Sequence, residues 1–324
     1  MLHNSALVFG VILKYREFFE NIMKNITLNE EKVLGKLLFT RIELYWDKFL
    51  KSLNKVKKKS TPKAVHDLRV NIRRLRAVLD IIGEITRAKR GKSYLRELKE
   101  LIRIFGALRD LHVQYDLINN TRSRRIPFLK PYLKRIEKKI SREEESLEKR
   151  IRSVRISHTK SLVKRILALK RLPLRLKKRH RVLAQRNLSC PVVRSLLEQY
   201  LLRCFAFFPL VRDERNQEDF HKLRVQVKRL RYKLEILHPL VRGDLDRAGI
   251  GYFRDLQDLM GETHDLDVAC HHVERFFSAR HPSVLKSEEY GRWQRIMAVK
   301  RRVLFRKSWL LLRRLEKLNF LSPR

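Results

Sequence analysis

His66-Asp-Leu-Arg-Val-Asn-Ile-Arg-Arg-Leu-Arg76 and His221-Lys-Leu-Arg-Val-Gln-Val-Lys-Arg-Leu-Arg231 are two versions of one stretch, 155 residues apart. Seven of the eleven positions are identical, and Arg73 is answered by Lys228. A second pair of blocks, Gly106-Ala-Leu-Arg-Asp-Leu-His-Val113 and Gly261-Glu-Thr-His-Asp-Leu-Asp-Val268, falls at the same offset of 155, with no net insertion between blocks. That period is too long for a solenoid unit, which repeats every ~20–50 residues. It describes a duplicated half of one domain.

Each copy carries two faces when wound as a helix. At about 100° per residue, Arg69, Arg73 and Arg76 fall with His66 in one stripe roughly 80° wide. Leu68, Ile72, Leu75, Leu79 and Ile82 fall on a separate apolar face suited to packing. In the second copy His221, Arg224, Lys228 and Arg231 repeat the stripe, and Leu223, Val227, Leu230, Leu234 and Leu237 repeat the apolar face. Four like charges on one stripe repel, and a soluble helix would ordinarily intersperse Glu at i+4 to relieve them. Phosphates laid along the stripe would relieve them instead, because guanidinium forks match phosphate oxygens. The competing reading is a solvated charged face, or internal pairing with Asp110 and Asp265. Recurrence of the stripe favours a ligand. His66 and His221 are read as hydrogen-bond donors to ligand or bundle, their pKa values lowered by the surrounding cations.

Outward from these blocks the chain reads as helical throughout. Only 10 Gly and 9 Pro occur in 324 residues, and 44% of the residues are hydrophobic. Helical spacing predicts elements at Glu30–Lys58, Pro62–Ile85, Ser93–Asn120 and Phe128–Arg152, then at Pro191–Val211, Gln217–Leu240, Leu245–Ala279 and Ser283–Leu318. Ser60-Thr61-Pro62 supplies a cap followed by proline in the first turn, Pro239 and Gly243 close the sixth helix, and Pro282 separates the seventh from the eighth. The expected fold class is all-α, with two antiparallel four-helix bundles, each half able to bury a core. The halves span 30–152 and 191–324, after an N-terminal extension at 1–29. The connector, 153–190, is basic. From Lys149 to Leu197 there is no acidic residue and 16 positions are Lys or Arg. Leu162, Ile166, Leu169, Leu172 and Leu176 keep apolar spacing there, so part of it is expected to be helix.

With 76 Lys plus Arg against 35 Asp plus Glu, the net charge is +41 at pH 7. Self-repulsion of that size opposes the compact state and points to a polyanionic partner. Cys190, Cys204 and Cys270 show neither zinc-finger nor CxxC spacing, which suits free thiols in a reducing compartment. The apolar run Ala6–Leu13 is far shorter than the ~20 residues of a membrane span. It lacks the flanks of a signal peptide. No membrane partner and a cytoplasmic location are the expectation.

At these residues the sequence resembles the CHAD domain, the conserved histidine α-helical domain. The resemblance rests on His66, Leu68-Arg69-Val70, Arg73-Arg74-Leu75-Arg76 and the Gly106–Val113 block with Arg109-Asp110-Leu111. The same pattern recurs at His221, Arg224-Val225, Lys228-Arg229-Leu230-Arg231 and Gly261–Val268, and the likeness runs from about residue 30 to the end. It implies two four-helix bundles related by pseudo-twofold symmetry, with basic residues facing a shared cavity or groove. It also implies binding of inorganic polyphosphate and, in bacteria, association with polyphosphate granules. The residues expected to hold polyphosphate are His66, Arg69, Arg73, Arg74, Arg76, Arg109, His221, Arg224, Lys228, Arg229 and Arg231. Two departures stand out: His264 replaces Arg109, and His112 faces Asp267. The Glu-x-Glu-x-Lys motif of a CYTH triphosphatase, sometimes fused to this family, does not occur; Glu143-Glu144-Glu145-Ser146-Leu147 lacks the Lys.

Little else carries chemistry. Gly91-Lys92-Ser93 lacks the earlier glycine of a P-loop, since Thr86 stands there, and no strand precedes it. His264, Asp267 and His271 share a helix face beside Cys270 and His272, a spacing that could hold a divalent metal. A polar helix face is the favoured reading. No catalytic triad or apolar carboxylate pair emerges, so neither catalysis nor a cofactor is expected. A general polyanion or nucleic-acid (RNA/DNA) binder is the alternative, opposed by the lack of aromatic residues interleaved with the stripe. A metal-assisted phosphohydrolase is the third reading. The sequence does not give an oligomeric state.

Overall fold

The structure, a computed structural model, describes residues 28–85, 93–120, 126–168, 191–241 and 244–317. Every long element among them is an α-helix: α1 Leu28–Lys58, α2 Pro62–Ile85, α3 Ser93–Asn120, α4 Lys130–Ser153, α5 Ser157–Ala168, α6 Pro191–Phe205, α7 Gln217–Leu237, α8 Asp244–Arg280 and α9 Glu288–Lys317. The extension at 1–27, the Gly91-Lys92 stretch, Cys190, Gly243 and the connector beyond Ala168, with Leu169, Leu172 and Leu176, lie outside the described residues.

Local chemistry sets most helix ends. Thr61 Oγ1 accepts from the Ala64 amide at 3.2 Å, so the expected cap before Pro62 is made. Asn216 Oδ1 caps α7 by accepting from the Asp219 amide at 3.2 Å, and Glu218 and Asp219 put negative charge at the positive end of the helix. Several ends shift by a few residues, α7 stopping at Leu237 instead of Leu240 and α4 starting at Lys130 instead of Phe128 where 3-10 turns adjoin them, and two boundaries differ by more. α6 stops at Phe205 instead of Val211, because Pro209 has no N–H to donate back to it and disfavours helical backbone just before it. α9 starts at Glu288 instead of Ser283: residues Pro282–Lys286 form a 3-10 turn, and Ser287 Oγ caps α9 by accepting from the Tyr290 amide at 3.2 Å. α8 is interrupted at Gly249, whose φ of 61° and ψ of 168° are open only to glycine at low cost.

α5, foreseen only as part of a basic connector, is docked by its N-terminus. The Glu97 carboxylate on α3 accepts from the His158 and Thr159 amides at 2.9 and 2.7 Å and from Thr159 Oγ1 at 2.7 Å. These donors satisfy the orphan amides of α5 and outweigh desolvation, so the Glu97 pKa lies below the usual carboxylate value.

Consecutive helices pack in each half, α1 on α2, α2 on α3 and α3 on α4, then α6 on α7, α7 on α8 and α8 on α9. The halves meet where α2 lies on α7 and α3 on α8. One core per half was expected; instead both cores draw on both halves. The larger core joins Leu68, Ile72, Leu75 and Leu79 of α2 to Leu223, Val227, Leu230 and Leu234 of α7. The smaller joins Leu129, Tyr132 and Ile136 to Phe276, Phe277, Tyr290 and Trp293. The reason is visible in α2, where Val65, Val78, Ile81 and Ile85 are buried besides the expected apolar face. A helix apolar on more than one side sits at the centre of a molecule.

Buried polar links fasten the seam between halves. Glu84 of α2 accepts from Tyr200 Oη at 2.7 Å and from Lys233 Nζ at 2.9 Å, and Lys233, 3% exposed, also lies over the Tyr200 ring at 4.3 Å. Nearby, Glu235 of α7 meets Arg74 of α2 at 2.6 Å and Arg231 at 3.8 Å.

Candidate functional site

Because α2 packs on α7, the two basic stripes face one another across the seam. Lys228 lies in the fields of Arg73, Arg224, Arg69 and Arg229. Arg224 lies in the fields of Asp265, Arg73 and Asp110. His66 is close to Arg109 of α3. The sequence-predicted residues His66, Arg69, Arg73, Arg109, His221, Arg224 and Lys228 therefore form one cluster, drawn from both copies of the repeat.

Burial makes this cluster unusual. Desolvation first, then neighbouring guanidiniums, push the Lys228 pKa down to about 7. The same causes bring Arg69 down to about 10. Arg224, His66 and His221 shift downward as well, with burial as the leading cause. Two carboxylates reach the Arg and Lys side chains of the cluster, and Asp67 lies beside His66. Asp110, largely exposed, lies 3.9 Å from Arg69 Nη2, and half-buried Asp265 interacts with Arg224. Internal pairing is thus real but incomplete: Arg69, Arg73, Arg109, Arg224 and Lys228 outnumber Asp110 and Asp265 five to two.

Gly106 explains part of the second repeated block. The Arg69 guanidinium crosses α3 there and donates from Nη1 to the Ile102 carbonyl at 3.1 Å. A Cβ on residue 106 would stand 2.8 Å from that Nη1. No side chain or other helix lies within 4 Å of the equivalent point at Gly261, and Arg224 Nε is buried without a hydrogen-bond partner. The two copies have diverged at this contact.

The departures in that block also find a place. His264, where the first half has Arg109, stacks on His221 with centroids 4.3 Å apart and the two Nδ1 atoms at 3.2 Å. Burial and then Arg224 lower the His264 pKa to about 4, so this pair is neutral at pH 7 with one ring donating to the other. His264 is the member of the cluster that stripe reasoning missed; its position opposite Arg109 in the repeat was the available signal. At the position shared by His112 and Asp267, His112 Nε2 is 3.7 Å from Glu144 of α4, while Asp267 accepts from Arg301 Nε of α9 at 2.6 Å. One copy sets a histidine, its pKa lowered first by burial, beside a carboxylate, and the other sets a carboxylate against an arginine.

Three predicted residues stand apart from the cluster, and a fourth, Arg229, reaches it only through its field on Lys228. Arg74 and Arg231 are engaged with Glu235, Arg231 also lying over Tyr232. Arg76 Nε is 3.5 Å from Asp80, and Arg229 is exposed at the rim. The considered metal face is split, His264 turning to His221 and Asp267 to Arg301. Among the described residues no three His, Cys, Asp or Glu side chains gather to hold a metal. Among them, too, no helix is long and apolar enough to cross a membrane, and Cys204 and Cys270 are free thiols.

An all-helical chain whose duplicated His–Arg stripes converge on one partly buried cationic cluster is the class this geometry defines. The model of the CHAD domain family matches residues 40–274, well over half the chain, and the protein belongs to that family. Two solved structures share the fold. The CHAD domain from the plant Ricinus communis superposes with a TM-score of 0.58 at 17% identity, over 89% of this chain and 92% of that one. PptA from Streptomyces chartreusis gives 0.54 at 14% identity, over 87% and 99%. No curated protein matches.

Proposed function

We propose that the protein binds inorganic polyphosphate, without cleaving it, in the cationic cluster between α2 and α7, and that this binding targets it to polyphosphate granules. The observation that carries the reading is the excess of five cations over two carboxylates in a partly desolvated site. Burying uncompensated like charges is costly unless an anion completes them. A phosphate chain supplies anionic oxygens at regular spacing, and guanidiniums bind them through paired N–H groups. Membership of the CHAD family supports the same ligand class. Nucleic acid is less well suited, because large aromatic side chains such as Trp293, Phe49, Phe105, Phe253 and Phe277 are fully buried and offer no base-stacking surface.

The test is a titration with long-chain polyphosphate in near-physiological salt, using DNA and RNA of matched phosphate content as competitors. Tight binding that nucleic acids do not displace is expected. Replacing Arg69, Arg73 and Lys228 together by Ala should weaken it at least ~100-fold at about 1 kcal/mol or more per charge-assisted bond, with helicity retained. Equal competition by nucleic acid would make the protein a general polyanion binder. Turnover of polyphosphate with added magnesium or manganese would overturn the non-enzymatic reading.

A further inference from the structure

A second basic groove lies away from this cluster, between α4 and the C-terminal turns of α8. It encloses about 500 Å³ and is lined by Lys134, Arg135, Lys138, Lys139 and Arg142 of α4, with Arg280 and His281 opposite. No carboxylate lines it, and among the described residues none of these Lys and Arg side chains has a carboxylate within 4 Å. The groove wall is packed against the core. The guanidiniums of Arg135 and Arg280 lie over the Phe276 ring at 5.4 and 5.5 Å, and that ring is itself fixed in the smaller core.

One face of α8 leads from the central cluster towards the groove. At about 100° per residue, His272 and Phe276 follow Asp265 by two and three turns on the same side, and Arg275 follows His264 likewise. His272, Arg275 and Phe276 line a furrow of about 400 Å³ with Gln114 of α3 and Lys139, which carries the path into the groove. From His264 to Arg280 the helix rises roughly 24 Å at 1.5 Å per residue.

We infer that this groove is a second binding segment for a linear polyphosphate, so that one long chain runs from the central cluster along α8 into the α4–α8 groove, whereas a short chain occupies one segment at a time. The inference rests on the polyphosphate reading of the central cluster and extends it to chain-length selectivity. Linking two weak segments through one ligand makes the second contact intramolecular, which raises affinity for long chains above that for short ones.

The experiment is calorimetric titration with tripolyphosphate and with a chain on the order of 100 phosphates, long enough for this multivalent engagement. The proteins compared are wild type, the groove variant Lys134→Ala/Lys138→Ala/Arg142→Ala and the central variant Arg69→Ala/Arg73→Ala. A charge control, Lys300→Ala/Arg306→Ala/Lys307→Ala, removes three exposed cations of α9. Wild type should take two tripolyphosphates and each of the first two variants one. The groove variant should lose about tenfold in affinity for the long chain, with the control unchanged. An unaltered groove variant, or a control that loses as much, overturns the inference. A central variant that binds normally while the groove variant does not would overturn the central reading and leave the groove standing.

Discussion

Gly106 and Gly261 occupy one position of the repeat, yet their surroundings differ. In a helix, Ala is favoured over Gly by roughly 0.5–1 kcal/mol. Gly261→Ala should therefore raise the melting temperature. Gly106→Ala must displace the Arg69 guanidinium from the Ile102 carbonyl, cancelling that gain and weakening polyphosphate binding. Thermal melts and titrations of the two variants check this; equal behaviour would contradict the contact. Lys228 gives a second prediction. Its pKa in the free protein is about 7, below the ordinary lysine value, and a bound anion favours the charged form. Binding therefore takes up a proton, and affinity should rise as pH falls from 8.5 to 6. Lys228→Arg, which stays charged, should flatten that dependence. In the absence of ligand the same shift acts against the fold: the depressed lysine disfavours folding below its unfolded pKa and ceases to do so as pH rises above that value.

At the scale of elements, the α2–α7 seam depends on the Glu84–Lys233–Tyr200 group. Glu84→Gln should cost about 2–3 kcal/mol, because it removes the carboxylate bonded to the buried Lys233 ammonium and leaves only the field of Asp80 to balance it. Urea denaturation would show a lower midpoint with an unchanged slope if the two halves unfold together, as cores shared between them require. The cap on α9 is a smaller contributor, and Ser287→Ala should cost about 1 kcal/mol. Helix positions were legible in the sequence because apolar spacing and caps such as Thr61 are local. The ends of α6 and α9 are legible in Pro209 and in Ser287-Glu288-Glu289, although apolar spacing that continues past Phe205 and Pro282 masks them. The docking of α5 by Glu97 was not legible, since it joins residues some sixty positions apart.

For the molecule as a whole, the charge of +41 sets the response to salt. If five clustered cations each neutralise one phosphate, the logarithm of affinity should fall with the logarithm of salt at a slope of about −3.5, by the single-strand coefficient. A slope near zero would remove electrostatics as the driving force. Saturating polyphosphate should also raise the melting temperature, because a ligand that binds the folded state stabilises it by mass action. The sequence by itself determined the helical class, the duplication at offset 155 and the two cationic stripes, because periodicity and repetition are properties of the chain read in order. Only the tertiary structure decided that both stripes meet across α2 and α7, that His264 joins them, and that Arg74 and Arg231 turn aside to Glu235. Those outcomes depend on which helix faces are buried against each other, and burial sets both the partners and the charge state of every group in the cluster.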